Sequence, residues 1–155
     1  MPGNTQIKKT MKRKRIKKPK IFVQECGSYS NQILVLCGAS KMETFKFLKK
    51  MKAEVGFSKW VLEDYSEWNQ TISDRNDGMF CYNTKIKNSG TVLVIKPIQG
   101  DGDWHYWETL MHEIHHIVFY LSTQKSFKDE TENQAYLFDY LFRNIRRKLQ
   151  GDQDY

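Results

Sequence analysis

The run from Trp104 to Leu121 constrains this chain more than any other stretch. It is long, largely apolar and free of glycine and proline, and Asp103 stands before it as an N-cap, so it reads as a helix over about 103–122. Leu110, Ile114, Ile117, Val118 and Leu121 cover most of its faces, which predicts a helix buried nearly all round. Polar residues nevertheless interrupt it. His112 and His116 are four apart and therefore project from one side, one turn apart. Glu113 follows about 100° around the helix. Two imidazoles and a carboxylate in an apolar helix need a physical reason, and a metal ion supplies one.

The spacing is H-E-x-x-H, in which two histidines hold zinc and the glutamate acts on the metal's water as general base. With 4 histidines in 155 residues, random placement gives about 0.004 such matches. The competing reading, core histidines satisfied by hydrogen bonds, does not explain why the match coincides with a helix.

Composition separates an arm from a body. Residues 1–20 hold nine Lys/Arg (8, 9, 12, 13, 14, 15, 17, 18 and 20) and no acid, so against a net charge of +7 the remaining residues sum to 7 − 9 = −2. The reading is a basic arm over 1–20, one domain over 21–150 and a tail over 151–155. A domain of this size buries about 70% of its unfolded surface. Lys12, Arg13, Lys14, Arg15, Lys17 and Lys18 are placed to neutralise phosphates, against the plainer reading of a solvated tail. No aromatic residue is interleaved with them, so the arm offers bases nothing to stack on. The basic start lacks the apolar stretch of a secretory signal, and no run has the 18 or more apolar residues of a membrane span. Cys26, Cys37 and Cys81 have no C-x-x-C spacing and read as reduced core residues, which predicts a cytoplasmic setting and no membrane partner.

Along the body, Ile21–Cys26 and Gln32–Cys37 read as a hairpin. Ser40 with Glu43 forms a capping-box signal for a helix from Lys41 to about Val55. Phe57–Trp68 is aromatic-rich and fits a helix or a strand, and Asn69–Gly78 reads as loop. Met79–Asn83 and Thr91–Lys96 read as strands, and a final helix runs over about 130–149 with cations near its end. The fold class is α+β, a small twisted sheet with the two last helices packed beneath it.

A catalytic zinc takes three protein ligands and keeps one open position. His116 is the last histidine of the chain, so the third ligand must be a downstream carboxylate: Asp129, Glu130 or Glu132. Glu132 is favoured because small Ala135, one turn on, lets its helix approach closely. Glu132, Ala135 and Phe138 resemble the second motif of gluzincins. The closest likeness is to the ImmA/IrrE-like metallopeptidases, a group often linked to phages and mobile elements, whose motif runs roughly E-x-E-A-N-x-F-A. Gln134, Tyr136 and Asp139 depart from it. In gluzincins an Asp/Asn at the position of Tyr136 commonly braces a zinc-bound histidine; Asp139, near the same helical angle as Glu132, is the candidate to take that place, against the plainer reading of an exposed helix acid. It further implies a zincin-like fold and a zinc-dependent peptidase with Zn2+ on His112, His116 and Glu132. Glu113 is then the base, and Val92, Leu93, Val94 and Ile95 form an edge strand that pairs with an extended polypeptide substrate. A virion-associated location follows if the chain is phage-encoded. The alternative is a non-catalytic virion or nucleic-acid-associated protein whose zincin-like domain is structural and whose arm does the binding. Tyr120 and Tyr136 are candidate donors to an oxyanion.

Overall fold

The computed structural model describes residues 19–27, 29–74, 77–86, 90–97, 104–126 and 130–151. Arm residues 1–18, the expected cap Asp103, the candidate ligand Asp129 and tail residues 152–155 lie outside the described residues. The elements in order are β1 (Lys20–Cys26), β2 (Tyr29–Cys37), α1 (Lys41–Lys50), α2 (Val55–Asp74), β3 (Gly78–Tyr82), β4 (Thr91–Ile95), α3 (Trp104–Gln124) and α4 (Thr131–Gln150). The four strands form one mixed sheet in the order β1-β2-β4-β3. β1 and β2 are an antiparallel hairpin, β2 and β4 run parallel, and β3 returns antiparallel to β4.

The period-2 alternation of the two inner strands explains the layers. Ile33, Val35, Leu93 and Ile95 face α3 and α4, while Leu34, Leu36, Val92 and Val94 face α1 and α2. All five residues of β4 are buried, the signature of a strand covered on both faces. The expected α+β class holds, with one correction. Helices lie on both sides of the sheet rather than beneath it alone, because both faces of β2 and β4 are apolar.

Local signals were legible to different degrees. Ser40 and Glu43 do close a capping box at the start of α1. That helix stops at Lys50, five residues short of expectation, and a second one begins at Val55. The aromatic stretch 57–68 is helical and α2 continues to Asp74, through most of the expected loop. Trp60 and Trp68 stack edge to face at 5.4 Å on the sheet, so burial of rings overrides the polar composition after Trp68.

The boundary of the arm also shifts. Lys20 opens β1, and its ammonium donates to the carbonyls of Lys148 and Leu149 at 3.0 and 2.6 Å, satisfying the last turn of α4. Lys20 therefore belongs to the body. Lys20→Ala should cost about 1–2 kcal/mol of stability, read from urea unfolding. A change below about 0.3 kcal/mol would show that this cap contributes nothing.

Cys26 and Cys37 are buried, Cys81 is half-buried, and all three are free thiols. Burial pushes their thiols from the ordinary value near 9 up to about 12, about 11 and about 12. Folded thiols thus stay protonated where unfolded ones ionise. Their contribution to stability is complete below about pH 9 and is lost as pH rises through 11 to 12. The urea midpoint should fall between pH 8.5 and 10.5, and a triple Cys→Ala variant should show a shallower decline. Equal slopes for the two proteins would refute it.

Candidate metal centre

α3 carries all 4 histidines of the chain. It is not buried all round. Glu108, His112, His115, His116 and Phe119 form an exposed stripe, while Leu110, Ile114, Ile117 and Leu121 are fully buried against the sheet and α4. The 3.6-residue period permits this split: the apolar set occupies little more than half the circumference.

His112 and His116 meet as their spacing requires. Their Nε2 atoms are 3.0 Å apart, with the rings perpendicular at 86°. Two nitrogens bound to one tetrahedral zinc at 2.0–2.1 Å stand about 3.3 Å apart, so the pair fits two adjacent ligand positions. Without a metal the same atoms share a hydrogen bond.

Glu113 points the other way, into the body, with 9% of its surface exposed. Its Oε2 accepts the backbone N–H of Phe80 on β3 at 2.8 Å. Burial pushes the carboxyl above its usual range, opposed by the Phe80 N–H and by neighbouring His116 and His112. Gly78 faces this contact: a Cβ there would lie 3.5 Å from Glu113 Cγ, an ordinary contact, and 3.2 Å from Thr109 Cγ2, close enough to ask a small shift of that methyl. A carboxyl raised in this way has the direction of shift that suits a proton acceptor at neutral pH.

The third ligand is not assembled. Glu132 is exposed in the first turn of α4, and among the described residues no third His, Cys, Asp or Glu joins the pair in a metal-binding cluster. Glu130 is the N-cap of α4, outside the helix proper, and Asn133 donates to its carboxylate. Asp139 borders a groove with His115, Phe119 and Ala135. Ala135, in the same groove, is exposed. His115 stacks on Phe138 at 4.5 Å and so is committed to the α3–α4 contact.

The expected edge strand needs correction. Val92, Leu93, Val94 and Ile95 form β4, which is paired on both sides and offers no free backbone. The outer strand beside α3 is β3. Tyr120 packs on Tyr82 and Phe80 at 4.6 and 5.8 Å, next to β3. Tyr136 lines a different hollow, with Tyr29 and Tyr140. His105 pairs with Asp77 at 3.2 Å near the start of α3, a contact the sequence did not reveal.

Comparison with family models, with curated proteins and with solved structures finds no match to this chain.

The Glu113–Phe80 bond has a measurable weight. Glu113→Ala leaves a backbone donor unpaired and should cost about 1–3 kcal/mol, whereas Glu113→Gln keeps an acceptor and should stay within about 1 kcal/mol. Equal losses in urea unfolding would show that the hydrogen bond is not what holds Glu113.

Proposed function

We propose that this chain is a zinc-dependent peptidase of zincin-like type, with His112 and His116 holding the metal, Glu132 completing the set and Glu113 as general base. The observation that carries the reading is the 3.0 Å convergence of the two Nε2 atoms, with Glu113 next in sequence to His112 and held from the body side by the Phe80 N–H. A zinc ion there supplies Lewis acidity to a peptide carbonyl and brings the pKa of bound water to about 7.

The chain's own residues do the rest. Glu113 Oε2 is held by Phe80, so Oε1 is the oxygen that takes a proton and returns it to the leaving amine. β3, the outer strand at the site, replaces β4 as the edge on which an extended polypeptide lies.

One observation favours a second reading. Glu132 stands apart from the histidine pair, as it would in a non-catalytic nucleic-acid-associated or virion protein whose domain is structural.

Metal analysis of purified protein separates them. About one zinc per chain should copurify, and His116→Ala or Glu132→Ala should lose most of it. Glu113→Gln should keep zinc and melting temperature while peptidase activity falls about a hundredfold or more. Wild-type protein without divalent metal under reducing conditions would sink the peptidase. Loss of zinc on Glu113→Gln would instead make Glu113 a ligand.

A further inference from the structure

α4 presents a second surface, turned away from the histidines. Tyr136, Tyr140, Arg143 and Arg147 follow i, i+4, i+7, i+11 spacing, which aligns them in one stripe about 16 Å long. Tyr136 is 69% exposed and Tyr140 39%, high for large rings that a core would otherwise take. Arg143, Arg146 and Arg147 are exposed as well. From Tyr140 to Gln150 the helix holds four cations and no acid, and among the described residues none of those cations is in an ion pair.

The surface has relief. A hollow of about 470 Å³ is walled by Tyr29, Tyr136, Tyr140 and Arg143. A second, of about 490 Å³, adjoins it and is walled by Phe142, Arg143, Arg146 and Arg147. Asp139 borders both and is the carboxylate among their walls. Arg146 is steadied over the ring of Trp107 at 5.1 Å.

We propose that this outer face of α4 binds single-stranded nucleic acid, with bases stacked on Tyr136 and Tyr140 and phosphates held by Arg143 and Arg147. Two observations choose this occupant. Exposed rings in the N-terminal half of the stripe offer faces on which bases can stack and arginines in its C-terminal half offer partners for phosphates, whereas an acidic polypeptide would need only the cations. Residues 1–18 add eight Lys/Arg and no acid, and they join the body through Lys20, whose ammonium sits on the carbonyls of Lys148 and Leu149 at the arginine-rich end of α4. A duplex hides the faces of its bases within its own stack, so the tyrosines specify a single strand.

Fluorescence anisotropy with the full chain and a labelled oligothymidylate of about 12 nucleotides tests this. Tyr136→Ala with Tyr140→Ala should weaken binding about 10- to 100-fold, while the corresponding Phe pair keeps it within about threefold. Arg143→Gln with Arg147→Gln should weaken binding and make the log–log salt slope shallower by about 1.4. Wild-type affinity in the Tyr→Ala pair, with loss only on removal of residues 1–18, would overturn the proposal. So would displacement of the strand by duplex or by polyglutamate as readily as by unlabelled strand at equal charge. The Phe pair guards against misfolding: if both pairs lose binding alike while their melting curves match wild type, stacking is refuted.

Discussion

Burial of β2 and β4 on both faces is the constraint from which the architecture follows. An inner strand reading Thr-Val-Leu-Val-Ile has no polar face to show water, so the sheet requires a layer on each side. Parallel pairing of β2 with β4 excludes a tight turn between them, and the connection passes through α1, α2 and β3 before returning. β3 is thereby left outermost. α3 then enters immediately after β4 and packs across the sheet beside it, which brings its polar edge to the rim.

The candidate centre is a product of that rim position. Leu110, Ile114 and Ile117 anchor one side of α3 in the core, and the helical period turns His112 and His116 outwards on the other. Glu113 falls between the two zones. It is buried enough for its carboxyl to be pushed up, yet it meets a backbone donor because β3 has no further strand to take the N–H of Phe80. The edge of a sheet is usually a liability. Here a side chain from the neighbouring helix occupies part of it.

Where one chemical signal dominates, the sequence could be read. The apolar runs of β2 and β4, the Ser40–Glu43 box and the helical stretches of α3 and α4 each point to one element, and each is found. The readings that failed depended on partners far away in sequence. Whether Val92–Ile95 is an edge or an inner strand is decided by β3 docking beside it, which no local pattern encodes. The residues after Trp68 are polar and have no amphipathic period of their own, but Ile72 is drawn into the layer below the sheet and carries the helix on. The histidine spacing told that two nitrogens would meet; the separation of Glu132 from them depends on how α4 is set against α3.

That setting is fixed unevenly along α4. His115 against Phe138 and Trp107 against Arg146 show the two helices antiparallel and in register over two turns. Extending this register puts Glu132 about 9 Å beyond Phe138 towards the start of α4, while His116 is one residue beyond His115. The C-terminal end of α4 is closed by Gly151 in the left-handed conformation and by Lys20 on two carbonyls. At the other end Glu130 is an N-cap without a side-chain cap bond, and Glu132 is exposed. Among the described residues no side chain caps that first turn, and a terminal turn is the part of a helix that opens at least cost. Under the proposal that Glu132 completes the ligand set of the histidine pair, the cost of bringing it there would fall on a few backbone groups of this turn rather than on the core.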